Sequence, residues 1–221
     1  MSWIITGTEK YETDPHRSQV SLLLHGDGTN GSTTITDSSP SPKTVTVAGN
    51  AQISTAQSKF GGSSLAFDGS GDYLQASSAT LDPGGDFTVE AWAYLSVFTG
   101  FHMLFSTRSI NTGSSFGINN NGKIAAYSDA SGVSSSSFDM PLSIWTHLAY
   151  TYSSGRLYIY ANGVNVYDSV KSFTSHTQTW VGTANGLGEY WNGYIDDLRI
   201  TKGVARYTSN FTPPTAPFPD I

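Results

Sequence analysis

The chain has 221 residues, of which 38% are hydrophobic and only 13% charged, with Gly, Ser, Thr and Asn filling the balance. Aromatics reach 13%, a composition that suits pleated, half-buried surfaces and argues against a helical protein. The formal net charge of −6, with few and scattered Lys and Arg, excludes an electrostatic nucleic-acid binder, and the lack of Cys excludes thiol chemistry.

Zero cysteines also favour assembly in a reducing cytoplasm. No apolar run approaches the length of a membrane-spanning helix, so no membrane insertion is expected. Met1 to Ile5 lacks the basic and apolar regions of a signal peptide.

Residues 1–18 carry Glu9, Lys10, Glu12, Asp14, Pro15 and Arg17 without alternation and read as an arm or linker. Residues 19–213 read as one domain. Val20 to His25 is an apolar strand ended by the turn cluster Gly26-Asp27-Gly28-Thr29-Asn30-Gly31. Thr33 to Thr36 and Thr44 to Val47 read as short Thr/Val strands. Gln57 to Gly62 is a loop entering the hairpin Ser64 to Phe67 and Tyr73 to Ala76. From Asp86 to Leu95, Phe87, Val89, Ala91, Ala93 and Leu95 share one face, and Thr88, Glu90, Trp92 and Tyr94 share the other. Strands follow at Met103 to Thr107, Phe116 to Asn119 and Lys123 to Ser128. The last two are joined by Asn119-Asn120-Asn121-Gly122, whose residues accept positive φ. The serine run from Ser131 to Ser137 reads as a loop tip. Trp145 to Ser153, Arg156 to Ala161, Val164 to Ser169, Trp180 to Gly182 and Tyr194 to Ile200 complete the set. Residues 214–221, rich in Pro, read as an extended strap or tail. Many short strands with regularly spaced turns predict an all-β, two-sheet antiparallel sandwich or barrel.

Four segments carry a resemblance. Ser64-Leu65-Ala66-Phe67-Asp68-Gly69-Ser70-Gly71-Asp72-Tyr73-Leu74, Asp86-Phe87-Thr88-Val89-Glu90-Ala91-Trp92, the pair Trp145-Thr146-His147-Leu148-Ala149 with Leu157-Tyr158-Ile159-Tyr160-Ala161-Asn162-Gly163, and Gly193-Tyr194-Ile195-Asp196-Asp197-Leu198-Arg199-Ile200 resemble, in order, the signature strands of laminin-G-like jelly rolls. These belong to the concanavalin A-like lectin and glucanase group. The closing segment Arg199 to Pro214 is similar to the version found in tailed-bacteriophage virion proteins. The resemblance implies a concanavalin A-like jelly roll, and a fold that hosts lectins, glycanases and structural proteins alike.

Glycanases of that group place paired carboxylates on one strand, as glycoside hydrolysis requires. Here Glu90 is followed at the matching positions by Trp92 and Tyr94, and Glu9, Glu12 and Glu189 give no pair either. No Gly-x-Ser-x-Gly elbow and no metal-ligand His spacing is present. A non-enzyme is therefore expected, with Glu90 a hydrogen-bonded structural carboxylate.

The resemblance also implies a structural calcium held by Asp27 (side chain or nearby carbonyl), a carbonyl around Gly61 or Gly62, and Asp196. The alternative for Asp196 is a carboxylate that caps turn amides or pairs with an Arg. Sugars bind on aromatic faces with amides reading hydroxyls. Among the exposed-looking aromatics, which include Tyr94, Tyr127 and Trp180, the loop residues Phe98, Phe101, Tyr190 and Trp191, with Asn192, are the carbohydrate-binding candidates. Two expectations compete for function. One is a phage structural protein assembled in the bacterial cytoplasm and partnered by other virion proteins of head or tail. The other is an adhesion module for host-surface glycans. A glycanase ranks last.

Overall fold

The alternation in residues 87–95 decides which face each layer buries. Phe87, Val89, Ala91, Ala93 and Leu95 enter the main core, as the period of two requires. The computed structural model of the chain describes residues 13–77, 85–108, 113–128, 132–173, 178–184 and 187–221. In chain order the strands are β1 (Val20–Leu24), β2 (Val45–Ala48), β3 (Gln52–Ser54), β4 (Ser64–Asp68) and β5 (Tyr73–Ser77). β6 (Phe87–Leu95), β7 (His102–Ser106), β8 (Ser114–Ile118), β9 (Lys123–Ser128) and β10 (Gly132–Asp139) follow. β11 (Thr146–Ser153), β12 (Arg156–Ala161), β13 (Val164–Val170), β14 (Gln178–Val181) and β15 (Asn192–Lys202) complete the fold. One antiparallel sheet of eight strands runs β13-β12-β11-β6-β15-β4-β3, with β1 also on β15. The second, of seven strands, runs β10-β9-β8-β7-β14-β5-β2. The two form the sandwich that the motifs predict.

The sheets are joined by one large apolar cluster. Phe116 sits at its centre, with its ring centroid 4.7 Å from that of Tyr150 and 5.9 Å from that of Phe105. The Tyr150 hydroxyl reaches across from β11 and donates to the Gly117 carbonyl of β8 at 3.2 Å. A Cβ on Gly117 would lie 2.2 Å from the His102 carbonyl, so only glycine lets β7 approach β8 there.

The outer face of the eight-stranded sheet is buried as well. Thr88, Glu90 and Trp92 are covered even though they face away from the core. The chain after β15 lies across Thr88 and Glu90, while Lys59, Phe60 and His147 cover Trp92. The Thr88 hydroxyl donates to the Val204 carbonyl at 3.1 Å and accepts from the Arg206 amide at 2.9 Å. Tyr207 stacks on Phe211 at 3.6 Å, and Phe211 meets the His147 ring edge-on at 5.7 Å.

Three readings of the sequence are corrected. Thr33 to Thr36 forms no strand: the Asp37 carboxylate instead accepts the amides of Leu23 at 3.0 Å, Ser39 at 2.9 Å and Lys43 at 2.7 Å, and holds the segment as a loop. The serine run is not simply a loop tip. Residues 132–139 are strand β10, with Ser134 and Ser136 buried. Ser64 to Phe67 and Tyr73 to Ala76 form no hairpin: β4 pairs in the eight-stranded sheet and β5 in the seven-stranded one, so the turn between them crosses the sandwich. β3 was not foreseen. At the ends, residues 13–18 and 214–221 pack on the sandwich: Asp14 and Phe218 are buried, and the Asp14 amide donates to the backbone oxygen of Ile221 at 3.1 Å. The remainder of the arm, including Trp3, Ile4 and Ile5, lies outside the described residues.

Candidate functional site

Glu90 is consumed by structure. Arg199 donates to Glu90 Oε1 from Nη2 at 2.7 Å and from Nε at 3.0 Å, and the Tyr207 hydroxyl donates to Oε2 at 2.8 Å. Arg199 Nη1 and Arg206 Nη2 both reach Asp14 Oδ2, at 3.1 and 2.7 Å. Burial alone would raise the Glu90 carboxyl, but the Arg199 guanidinium, with His147 and Arg206, outweighs it and holds the group at about 2. Glu90 has no exposed surface with which to meet a substrate.

The calcium candidates meet where β15 changes partner. Ahead of Asp196 the strand pairs with β4, and after it with β1. A bulge falls between Asp196 and Arg199, with Asp197 at φ +51°. In the gap, Asp196 Oδ2 accepts the amides of Lys59 at 2.6 Å and Phe60 at 3.0 Å. Asp27 comes to the same loop: a Cβ on Gly61, whose φ is +60°, would lie 1.8 Å from Asp27 Oδ1. Desolvation pushes the buried Asp196 carboxyl up to about 7 despite both amides, and the charges of Asp197 and Asp27 push the same way. Asp197 itself faces His25 Nδ1 at 2.6 Å and accepts the Phe218 amide at 2.8 Å. Among the described residues no three His, Cys, Asp or Glu side chains converge. A cation here would therefore draw on backbone carbonyls such as that of Gly62, beside Asp27 and Asp196. Excess carboxylate charge, oxygen donors and a glycine-bearing loop fit a hard cation.

The loop candidates separate. Phe98 and Phe101 are well exposed. Tyr190 is half-buried, and its carbonyl is bonded to His102 Nδ1 at 2.7 Å. Trp191 is a correction: it has no exposed surface and belongs to the main core, and its indole N–H already donates to the Tyr94 carbonyl at 3.3 Å. It has no ring face to offer a sugar. Trp180 is buried too. Asn192 lies elsewhere, donating to the Asp68 carbonyl at 3.0 Å and lining a polar hollow of about 380 Å³ with Gln52, Ser54 and Tyr194.

Phe101 instead rims a groove on the outer face of the seven-stranded sheet, with a volume of about 210 Å³. Its floor is made by small outward residues. Ser115 pairs with Tyr127 on the neighbouring strand, and Ala125 stands beside them. Met103 of β7, Val133 of β10 and Tyr127 stand around that floor. Arg108 lays its guanidinium 3.8 Å over the Tyr127 ring and brings Nη1 to 3.8 Å from Glu189 Oε2. Ser115 Oγ, Arg108 Nε and Glu189 Oε2 are all buried, and none finds a hydrogen-bond partner among the described residues. Unsatisfied polar atoms are costly in a native protein and call for an explanation. Burial raises the Glu189 carboxyl, with Arg108 opposing the shift. Sequence reasoning named Tyr127 only as an exposed-looking aromatic and missed Arg108, Ser115 and Glu189. The outward small residues of β8 and β9 were the available signal.

A laminin-G family model, described as the concanavalin A-like lectin/glucanases superfamily, matches residues 68–206. A search of curated proteins finds no match. Among solved structures the chain is similar to domain 4 of AbnA, an extracellular arabinanase from Geobacillus stearothermophilus, in complex with arabinotriose. The TM-score is 0.64 at 19% identity, covering 85% of this chain and 94% of that one. It is also similar to the binding domain of botulinum neurotoxin serotype D, with a TM-score of 0.63, 17% identity, and coverage of 89% and 49%. The binding domain of botulinum neurotoxin DC in complex with SialylT gives a TM-score of 0.62, 16% identity, and coverage of 84% and 48%. The chain thus spans about half the length of the toxin domains. With the family model matching more than half its length and two antiparallel sheets packed as a sandwich, the chain belongs to the concanavalin A-like lectin/glucanases superfamily.

Proposed function

We propose that this chain is a non-catalytic glycan-binding module that holds a sugar in the groove of β7, β8, β9 and β10. One observation carries the reading: three polar atoms lie buried without partners beside the exposed Phe101 ring and the half-buried Tyr127. A sugar supplies hydroxyls for the first and a C–H face for the second. The arabinotriose bound in one similar structure agrees with it. On a glycan array the chain should label a subset of glycans, and Tyr127→Ala should weaken the strongest by about tenfold or more. A silent array, or labelling indifferent to Tyr127→Ala, would sink the proposal.

We propose in addition that the module is carried on a tailed-phage virion, as a head decoration or tail-associated part. The support is the resemblance of residues 199–214 to phage versions, in a segment that here straps the outer face of the eight-stranded sheet. Co-sedimentation with the capsids or tails of its source should occur. Free protein left wholly in the supernatant counts against it.

Calcium at Asp27, Asp196 and the Gly62 carbonyl is the third part of the proposal. Ion binding to the folded state alone would contribute about 2.7 kcal/mol at a hundredfold excess over Kd, or a rise in Tm of roughly 5–10 °C. EDTA should reverse that rise, and Asp196→Asn should abolish it. A melting temperature indifferent to calcium and EDTA removes the ion.

A further inference from the structure

We infer that the groove recognises a neutral sugar residue, one ring deep, through a pair of neighbouring hydroxyls, an inference that rests on the glycan reading above. The unpartnered atoms define the ligand by what they lack. Arg108 Nε is a donor in need of an acceptor, Glu189 Oε2 is an acceptor in need of a donor, and Ser115 Oγ can serve as either. Neighbouring hydroxyls answer both demands at once, one donating to Glu189 and the next accepting from Arg108. A carboxylate ligand cannot donate to Glu189, and an ammonium ligand cannot accept from Arg108.

Charge leads to the same class. Arg108 and Glu189 face each other across 3.8 Å, so the pair is close to neutral as a unit. An acidic sugar drawn to Arg108 would bring its charge against the Glu189 carboxylate, with little water to screen the repulsion. An amino sugar meets the mirror problem at Arg108. The stacking of Arg108 on Tyr127 fixes the guanidinium before any ligand arrives. Fewer rotamers are then lost on binding.

Size and apolar surface complete the argument. The volume of about 210 Å³ falls below the roughly 300–1,000 Å³ of clefts that enclose drug-sized ligands, which leaves room for one ring. Phe101, Met103, Val133 and Tyr127 bound that space with carbon, as the C–H face of a sugar requires.

The test is calorimetric titration of the intact chain with three probe groups. The first holds neutral sugars: arabinotriose and the methyl glycosides of galactose, glucose and mannose. The second holds N-acetylneuraminic and glucuronic acids, and the third glucosamine. The neutral group should bind, and the mono-deoxy analogues of the best binder should bind about tenfold weaker or worse. Glu189→Gln and Ser115→Ala should each weaken that binder by about tenfold. Ser115→Ala should leave the melting temperature unchanged or raised, because it deletes an unsatisfied buried hydroxyl. Tighter binding of the acidic sugars, strengthened further by Glu189→Gln, would overturn the inference and leave the glycan reading standing. So would tighter binding of glucosamine. Neutral binding untouched by both substitutions, or deoxy analogues as good as the parent, would overturn it too. Binding of no probe in any group would overturn both.

Discussion

Arg199→Ala should lower stability by about 3–5 kcal/mol and Tm by roughly 6–20 °C. Arg199 is nearly buried and neutralises Glu90 and Asp14, which sit in the same covered layer. Its guanidinium also stacks 3.6 Å from the Phe218 ring, so the substitution loses packing together with charge. What remains is two buried carboxylates, with Arg206 on Asp14 and only Arg206 and the His147 ring near Glu90. Lysine cannot replace the two-point contact on Glu90.

Acid should reveal the same network. Glu90 ionises at about 2 in the folded chain against an ordinary 4.5. The stabilisation is therefore complete above pH 4.5 and lost as pH falls toward 2. Thermal melts between pH 2.5 and 7 should show a steep acid limb in the wild type and a shallower one in Arg199→Ala. Equal limbs would show that the Glu90 layer admits water.

Deleting residues 214–221 should lower stability by about 3–6 kcal/mol. Burying the Phe218 side chain contributes about 2–3 kcal/mol of this, and leaving Asp197 without the Phe218 amide about 1–3 kcal/mol. The deletion also removes Asp220, whose carboxylate meets His25 Nε2 at 2.9 Å. Phe218→Ala is the milder control and should reproduce about half the loss. Urea unfolding of the three proteins measures this directly. A deletion that leaves the midpoint in place would make the Pro-rich end a loose tail.

Much of the fold was legible because its signals are local. The Asn119 to Gly122 turn joins β8 to β9, and the segment from Ser64 to Leu74 supplies the strands β4 and β5 where the alternation put them, though in different sheets and not as a hairpin. Alternation found the core face of β6. Three features gave no such signal. β10 is largely serine, so its pattern has no apolar contrast even though Ser134 and Ser136 turn inward. Trp191 follows a polar loop, and only its distant neighbours place it in the core. The groove gathers Arg108, Ser115, Tyr127 and Glu189 from separate stretches of chain. Its defining property, buried atoms without partners, exists only once those stretches meet.

The alternation that builds β8 and β9 has a bearing on how such a module diversifies. Phe116, Ile118 and Ile124 point into the sandwich, while Ser115, Ala125 and Tyr127 point out between them. On the proposed reading, neighbours in sequence thus serve different ends, stability on one face and ligand choice on the other. Relatives could exchange one ligand for another by rewriting every second residue of two strands. The scaffold would carry such drift without repacking.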